Sequence, residues 1–272
     1  MADTFTSLER DGWNRNAAAY ADVILGFTSQ AFAPLLDGLG DLGGKRLLDV
    51  ASGTGHLAKA AADRGAIAEG VDIAPEMAAR AGRLFPALTF RVGSADALPY
   101  DDNNFDAVTC CFGLLHMERP ERAIAEAFRV LRPGGRFAYT VWHGPAAGGT
   151  LLGLLLKSFQ RLGDLEVGLP PAPPMFQFAE AETRDRLLAA AGFTAIAGRD
   201  LDIRWRATEP EEIARLLQDG MVRTRLIFER QTPAAQASIL AAVIADARAF
   251  ATPAGVEIPN AALLATAVKP GA

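Results

Sequence analysis

The sequence contains only two cysteines, Cys110 and Cys111, and they are adjacent in an apolar run. Neighbouring side chains on a strand point to opposite faces, so a bond between these two would be strained. No third cysteine exists to pair with either of them. We therefore expect two small apolar side chains here, and neither a disulfide nor a metal site.

Long apolar runs and an excess of basic charge are also missing. The most apolar stretch, 150–159, is too short to cross a bilayer and contains Lys157, and the first 16 residues have no apolar signal core. Lys and Arg total 27 against 32 Asp and Glu, giving a net charge of -5, and the arginines form no run. These absences predict a soluble cytoplasmic protein that binds neither membrane nor nucleic acid.

The chain instead has the composition of a packed globular protein, with 50% hydrophobic residues. From residue 45 to 142, β-like runs alternate with helix-like stretches. The predicted strands are 45–51, 66–74, 88–96, 105–113 and 136–142, and the predicted helices are 56–65, 75–85 and 119–131. This alternation predicts right-handed βαβ units and a parallel sheet covered on both faces.

The segments on either side do not follow this alternation. A helical segment over 8–39 comes first, and a proline-rich loop over 168–178 comes later. Further helices are predicted over 147–163, 182–193, 209–231 and 233–251, and further strands over 194–207 and 256–270. We expect one domain with three parts: an N-terminal helical lid (1–44), a ligand-binding core (45–142), and cap insertions with the last two strands (143–272).

A glycine turn follows the first predicted strand. The stretch LLDVASGTGHLA (47–58) contains GTGHLA (53–58), which satisfies the dinucleotide pattern G-x-G-x-x-G/A, and Asp72 ends the second strand where a ribose-binding acid belongs. A triphosphate loop is disfavoured because no Gly-Lys-Ser/Thr follows. A plain tight turn between strand and helix is the alternative that the glycines alone leave open.

Several motifs in one order are more specific than the glycines. LDVASGTG (48–55), VDIAPEM (71–77), GSADALPYDDNNFDAVTC (93–110) and FGLLHMERPERAIAEAFRVLRPGGRF (112–137) together resemble the class I S-adenosylmethionine-dependent methyltransferases. The likeness is to the small-molecule branch that includes the ubiquinone/menaquinone-biosynthesis type. It implies a Rossmann-like, doubly wound α/β sheet of seven strands, mostly parallel with an antiparallel last strand, plus helical cap elements. The segments 194–207 and 256–267 would supply the final antiparallel pair.

The resemblance also implies a cofactor, S-adenosylmethionine, with S-adenosylhomocysteine as product. Asp72 would accept hydrogen bonds from the ribose hydroxyls, although it is also placed to cap the helix before Pro75. The turn 51–55 would hold the amino acid tail through backbone amides. The implied cofactor-binding residues are Asp49, Ala51, Ser52, Gly53, Gly55, Asp72, Ile73, Met77, Asp96, Ala97, Tyr20 and Phe112.

The methyl acceptor should lie beside the ends of the fourth and fifth strands, where two of the three histidines occur. His116 and His143 are candidate catalytic bases, although His116 alternatively only lines the cofactor pocket. Phe5 or Trp13 would close over the acceptor, with core packing of that helix as the competing interpretation. The candidate substrate residues are Trp13, Trp142, Met175, Phe176 and Phe178.

The leading hypothesis is therefore methyl transfer to an O, N or C atom of a small, largely apolar or aromatic metabolite. The alternatives are an enzyme of the same fold that uses the bound cofactor for decarboxylation or cyclisation, a non-catalytic cofactor-binding protein, and a nicotinamide dehydrogenase. The partner is a small-molecule methyl acceptor, and the sequence is compatible with a homodimer.

Overall fold

The computed structural model describes residues 4–144 and 150–271, and a seven-stranded sheet forms its centre. The strands of this sheet are β1 (Arg46–Val50), β2 (Ile67–Asp72), β3 (Thr89–Val92), β4 (Phe105–Cys111), β5 (Leu131–Trp142), β6 (Thr194–Leu201) and β10 (Ala262–Val268). Their order in the sheet is β3-β2-β1-β4-β5-β10-β6. All neighbouring pairs are parallel except those of β10, which runs antiparallel to both β5 and β6. The predicted fold class is confirmed.

The two last predicted strands are each divided in the structure. The segment 194–207 forms β6 and then β7 (Arg204–Ala207), and the segment 256–270 forms β9 (Gly255–Pro259) and then β10. Strands β7 and β9 pair with the short β8 (Ala251–Thr252) in a separate antiparallel sheet of order β7-β9-β8. The break in both segments occurs where the Asn260 amide donates to the Ile203 carbonyl at 2.8 Å. A local pattern of alternating residues does not reveal such a change of sheet.

Helices cover both faces of the central sheet. The helices are α1 (Phe5–Asn16), α2 (Gly26–Thr28), α3 (Phe32–Leu39), α4 (His56–Asp63), α5 (Pro75–Leu84), α6 (Pro120–Val130), α7 (Leu151–Leu162), α8 (Ala181–Ala190), α9 (Glu212–Arg215), α10 (Val222–Glu229) and α11 (Pro233–Ala247). Residues 147–149 of the predicted helix 147–163 lie outside the described residues. Leu47 and Leu48 belong to different hydrophobic clusters because successive side chains of a strand point to opposite faces.

Helix α1 lies over the cavity described below and is held there by contacts with α5 and α10. Its first turn is closed by a capping box between Thr4 and Ser7. The Asn14 side chain accepts the Glu76 amide at 3.0 Å, which ties α1 to the start of α5. At Gly12 a Cβ atom would come within 2.3 Å of Val222, so only glycine lets α1 and α10 approach this closely.

Candidate functional site

A large cavity opens at the carboxyl ends of β1, β2 and β4, where open α/β sheets bind ligands. Its empty volume, including the open mouth, is about 1660 Å³. Helix α1 and the start of α10 form its cover, and the loop before Phe176 forms part of its wall. Most of the lining is apolar, with charged side chains confined to a few positions. This is the usual composition of a site for a small organic molecule.

The glycine turn after β1 lies at one end of the cavity and has the left-handed backbone that glycine favours. Gly53 has φ 52° and Gly55 has φ 83°. A Cβ atom at Gly55 would meet the Phe90 ring at 2.5 Å, so a side chain is excluded there. At Gly53 the nearest atoms belong to Tyr20, at 3.9 Å or more, so the backbone stays accessible from the cavity. Ala51 also has a positive φ, 56°, which is strained for alanine and typical of functional turns.

Asp72 ends β2, lines the cavity, and is hydrogen-bonded to the glycine turn. Its Oδ2 accepts the Gly53 amide at 2.8 Å and its Oδ1 accepts the Ala74 amide at 2.8 Å. Burial raises the pKa of the Asp72 carboxyl, and the two amides and His116 counteract part of that effect. Helix α5 begins at Pro75 with Ala74 at its N-cap. Asp72 is therefore not the N-cap itself, and each of its oxygens keeps a lone pair for a further donor.

Behind the turn, Asp49 and Ser52 line a smaller cavity together with Tyr20 and His56. Thr109 Oγ1 donates to Asp49 Oδ1 at 2.9 Å. Burial, together with the charge of Asp72, raises the pKa of Asp49 to about 7 against that hydrogen bond. The Ser52 hydroxyl is buried and has no hydrogen-bond partner among the residues that the structure describes, although buried polar groups are nearly always paired. Its missing partner points to a polar ligand group at this place.

The loop after β3 contributes another acidic side chain, Asp96. Ser94 donates to Asp96 Oδ1, and Arg119 Nη2 donates to Asp96 Oδ2 at 2.5 Å. Burial alone would raise the pKa of Asp96, but these two partners outweigh it and lower the pKa. Ile73 and Met77 line the same end of the cavity. Ala97 lies outside the lining, and its amide donates to the Ser94 carbonyl at 3.2 Å.

These residues fit S-adenosylmethionine on three observations. The Asp72 carboxylate has lone pairs for a ribose diol, the Gly53 backbone is open to close approach, and the orphaned Ser52 hydroxyl offers a hydrogen bond near the turn. The cofactor would be held by Asp72 and the turn 51–55, with Ile73 and Met77 as apolar surfaces. The small cavity lined by Asp49 shares Tyr20 and Ala51 with the larger cavity.

Aromatic side chains form another part of the cavity lining. The Phe112 ring stacks on Trp142 with centroids 3.8 Å apart, and Trp142 stacks on Phe27 at 4.7 Å. Phe112 has φ 55°, a strained value for a bulky residue that turns the chain sharply after β4. Leu152 and Met175 complete this wall. The region suits a flat apolar molecule.

Three hydrogen-bonded side chains, Glu9, Trp13 and His116, also line the cavity. His116 Nδ1 is 2.9 Å from Glu9 Oε2, and Trp13 Nε1 donates to the same oxygen at 3.1 Å. The rings of Trp13 and His116 pack edge to face with centroids 5.0 Å apart. Glu9 is 4% exposed, so its carboxylate is buried in this contact. His116 and Trp13, both predicted from the sequence, therefore lie together in the cavity with a third residue that was not predicted.

Three predicted residues lie elsewhere. His143 Nε2 is 2.8 Å from Asp200 Oδ1, outside the cavity lining. Phe178 is 1% exposed and packs edge-on against Tyr139 in the core. The turn Gln177–Ala179 directs its side chain under the sheet, so Phe178 is not part of the cavity wall. Phe176 also lies outside the lining and packs against the hydrophobic cluster on the other face.

Sequence reasoning missed Glu9, Arg119 and Cys111, all of which line the cavity. Arg223, one of four arginines that the sequence offered for an acidic group of the substrate, also lines it. Glu9 lies on a helix with no motif of its own, so no local signal marks it. Arg119 directly precedes Pro120, inside the matched motif, and its pairing with Asp96 was accessible only from the fold. Cys111 accepts from Thr140 Oγ1 at 3.3 Å and, like Cys110, is a free thiol.

Comparison with known proteins gives a consistent result. A family model described as "Methyltransferase domain" matches residues 48–139. The demethylmenaquinone methyltransferase of Beutenbergia cavernae is 35% identical over 176 residues, which cover 61% of this chain and 72% of that enzyme. The demethylmenaquinone methyltransferase of Renibacterium salmoninarum is 40% identical over 114 residues, covering 42% of this chain and 48% of that enzyme, so this match spans about half of the relative's length.

A solved structure of the [4+2]-cyclase SpnF is also similar. It has a TM-score of 0.55 and 29% sequence identity, and the match covers 89% of this chain and 80% of the cyclase. The same architecture therefore occurs in a protein that is named a cyclase.

Proposed function

Since the chain belongs to the class I S-adenosylmethionine-dependent methyltransferases, in the branch of the demethylmenaquinone methyltransferases, we propose that it methylates a small, flat, hydroxyl-bearing aromatic acceptor. S-Adenosylmethionine is its cofactor. When bound, it supplies an activated methyl group, and S-adenosylhomocysteine is the product. The single observation that carries the acceptor class is the aromatic wall of Phe27, Trp142 and Phe112 beside the His116 imidazole.

The acceptor chemistry follows from the aromatic wall and from His116, which both line the cavity. A flat ring would lie against the apolar wall, which excludes water from the reaction. A hydroxyl group on that ring would lie near His116, which accepts its proton and so makes the ring oxygen or a conjugated ring carbon nucleophilic. We propose His116 as this base and assign no such role to His143, which is paired with Asp200 away from the cavity. The relatives act, by name, on demethylmenaquinone, a naphthoquinone, which has this chemistry in its reduced form.

Among the described residues, no helix is long and apolar enough to cross a membrane. The acidic net charge of -5 supports a small-molecule substrate over a nucleic acid. We propose a cytoplasmic site of action, as expected from the sequence.

The test uses naphthohydroquinone, made from 1,4-naphthoquinone with dithionite, as the acceptor probe. Incubation with S-adenosylmethionine should yield S-adenosylhomocysteine and a ring product heavier by one CH2 unit, both measured by mass spectrometry. Calorimetric titration should show binding of S-adenosylhomocysteine and none of NAD. Failure to bind S-adenosylhomocysteine would refute the cofactor site. Binding without methylation of this probe would refute the acceptor class.

The similarity to SpnF makes a cyclase the second candidate. A cyclase consumes no cofactor, so conversion of a polyene substrate with no S-adenosylhomocysteine formed would favour it. Stoichiometric S-adenosylhomocysteine would exclude it.

A further inference from the structure

The contact between Glu9 and His116 joins two distant parts of the chain inside the cavity. Glu9 lies on α1, and His116 lies 107 residues later, in the turn that follows β4. An ionised carboxylate can only accept hydrogen bonds. Glu9 Oε2 already accepts from the Trp13 indole N–H, so His116 Nδ1 must be the donor in the second contact. The carboxylate therefore selects the Nδ1–H tautomer of the imidazole.

In that tautomer the other ring nitrogen, Nε2, has the lone pair. Nε2 forms no hydrogen bond with any residue in the described ranges 4–144 and 150–271. The His116 side chain is 25% exposed and lines the cavity, whereas the Glu9 side chain is 6% exposed. One nitrogen is thus occupied by a buried partner, and the other is left for a ligand.

We propose that Glu9 is a positioning residue that holds His116 as the Nδ1–H tautomer, so that Nε2 accepts the hydroxyl proton of the methyl acceptor. The proton moves from the acceptor oxygen to Nε2, the resulting imidazolium is stabilised by the Glu9 carboxylate, and the oxygen keeps the electron pair. This inference rests on the proposed function. It adds that α1, which covers the cavity, supplies the residue that fixes the tautomer of the base, because His116 without Glu9 has no fixed tautomer.

The charges around the pair are compatible with this role. Asp72 faces His116 from the end of β2, and Glu118 and Arg119 follow it in the same loop. Arg119 is already paired with Asp96. From α10, Arg223 interacts favourably with Glu9, and its Nη1 donates to the Pro170 carbonyl at 3.0 Å. Arg225, on the same helix, also interacts favourably with Glu9. Among the described residues no carboxylate forms a salt bridge with Arg223, so the Glu9 oxygen that faces His116 is not shared with that arginine.

Glu9 is buried, so two substitutions are needed. In Glu9→Gln the side-chain oxygen should take the Oε2 position, because both Trp13 and His116 donate there. That variant keeps the tautomer and loses the charge. Glu9→Ala loses both. The matched control is Glu229→Gln, which removes a carboxylate that also ties α1, through Arg15 at 3.1 Å, but lies outside the cavity lining.

The first measurement needs no acceptor. Long-range 1H–15N spectra of 15N-histidine-labelled protein at about pH 8.5, where free imidazole is neutral, report which ring nitrogen has the proton. We expect Nδ1–H for His116 in the unmodified protein, in Glu9→Gln and in Glu229→Gln, and a population of Nε2–H in Glu9→Ala. Nε2–H in the unmodified protein, or an unchanged tautomer in a folded Glu9→Ala, would overturn the proposal.

The second measurement is steady-state methylation of naphthohydroquinone. We expect kcat to fall about 10- to 100-fold in Glu9→Ala and less in Glu9→Gln, with the KM for S-adenosylmethionine unchanged, because the loss falls on proton transfer. Equal loss in Glu229→Gln would show that Glu9 only anchors α1. If the unmodified protein does not methylate the probe, the acceptor class is refuted, and the tautomer measurement still decides the role of Glu9.

Discussion

The Asp72 carboxylate accepts the Gly53 amide at 2.8 Å, so the acid at the end of β2 and the glycine turn after β1 form one connected unit. The same carboxylate accepts the Ala74 amide through its other oxygen. A ligand that binds Asp72 therefore meets a group whose position is fixed by both neighbouring chain segments. This preorganisation lowers the cost of ordering the site when the cofactor binds.

Removing that carboxylate should weaken cofactor binding. We expect Asp72→Ala to bind S-adenosylhomocysteine about 10- to 100-fold more weakly, because hydrogen bonds to charged groups contribute about 1.5 to 3 kcal/mol. Calorimetric titration measures the change. The control is Glu69→Gln on the same strand, which loses a 3.0 Å ion pair with Arg46 away from the cavity and should bind normally. Unchanged affinity in Asp72→Ala would contradict the site.

The two glycines of the turn should respond differently to substitution. Gly44, which lies outside the turn and outside the cavity lining, is the control. Gly53→Ala and Gly44→Ala each place a Cβ at a positive φ with no clash, and each should cost about 1 to 2 kcal/mol in the free energy of unfolding. Gly55→Ala adds an overlap with Phe90, so its cost should be larger, roughly 3 kcal/mol or more. Urea unfolding measures all three. Only Gly53→Ala should weaken S-adenosylhomocysteine binding while keeping most of the stability. A Gly55→Ala variant as stable as Gly44→Ala would contradict this packing.

The two histidines should differ in their effect on turnover. His116→Ala should lower kcat for naphthohydroquinone by about 10²- to 10⁴-fold, the usual contribution of a general base, and added imidazole should restore part of it. His143→Ala should change kcat by about twofold or less, because that side chain pairs with Asp200 outside the cavity lining. Comparable losses in the two variants would reject His116 as the base.

Asp49 should make the stability of the unliganded protein depend on pH. Burial raises its folded-state pKa from 3.8 to about 7, so the folded protein keeps this proton where the unfolded chain has lost it. Its contribution to stability is fully present below pH 3.8 and is lost as the pH rises to about 7.

Asp49→Asn removes this titration and keeps an oxygen for Thr109. Relative to the unmodified protein, its free energy of unfolding should rise between about pH 4 and pH 7 by up to about 1.4 kcal/mol per pH unit and then level off. Chemical denaturation at several pH values measures the difference. Asp63→Asn, the same substitution at an exposed side chain, is the matched control. A difference that is independent of pH would refute the assignment.

Local sequence patterns predict the structure best between residues 45 and 142. Alternating apolar runs and helical periods specify the βαβ units, because they depend on residues close together in the chain. The turn around Gly53 and the position of Asp72 at a strand end follow from the same local patterns. Their use of one cavity follows because parallel strands end at the same edge of the sheet.

The elements that cover that edge depend on contacts between distant parts of the chain. The segments 194–207 and 256–270 each cross between two sheets, and Phe178 points into the core although its neighbour Met175 lines the cavity. Glu9 has no local pattern that marks it, because its partner His116 is 107 residues away. Periodicity sets which face of an element is apolar. Contacts between distant elements depend instead on how the whole chain packs, and that packing brings Glu9 and His116 together.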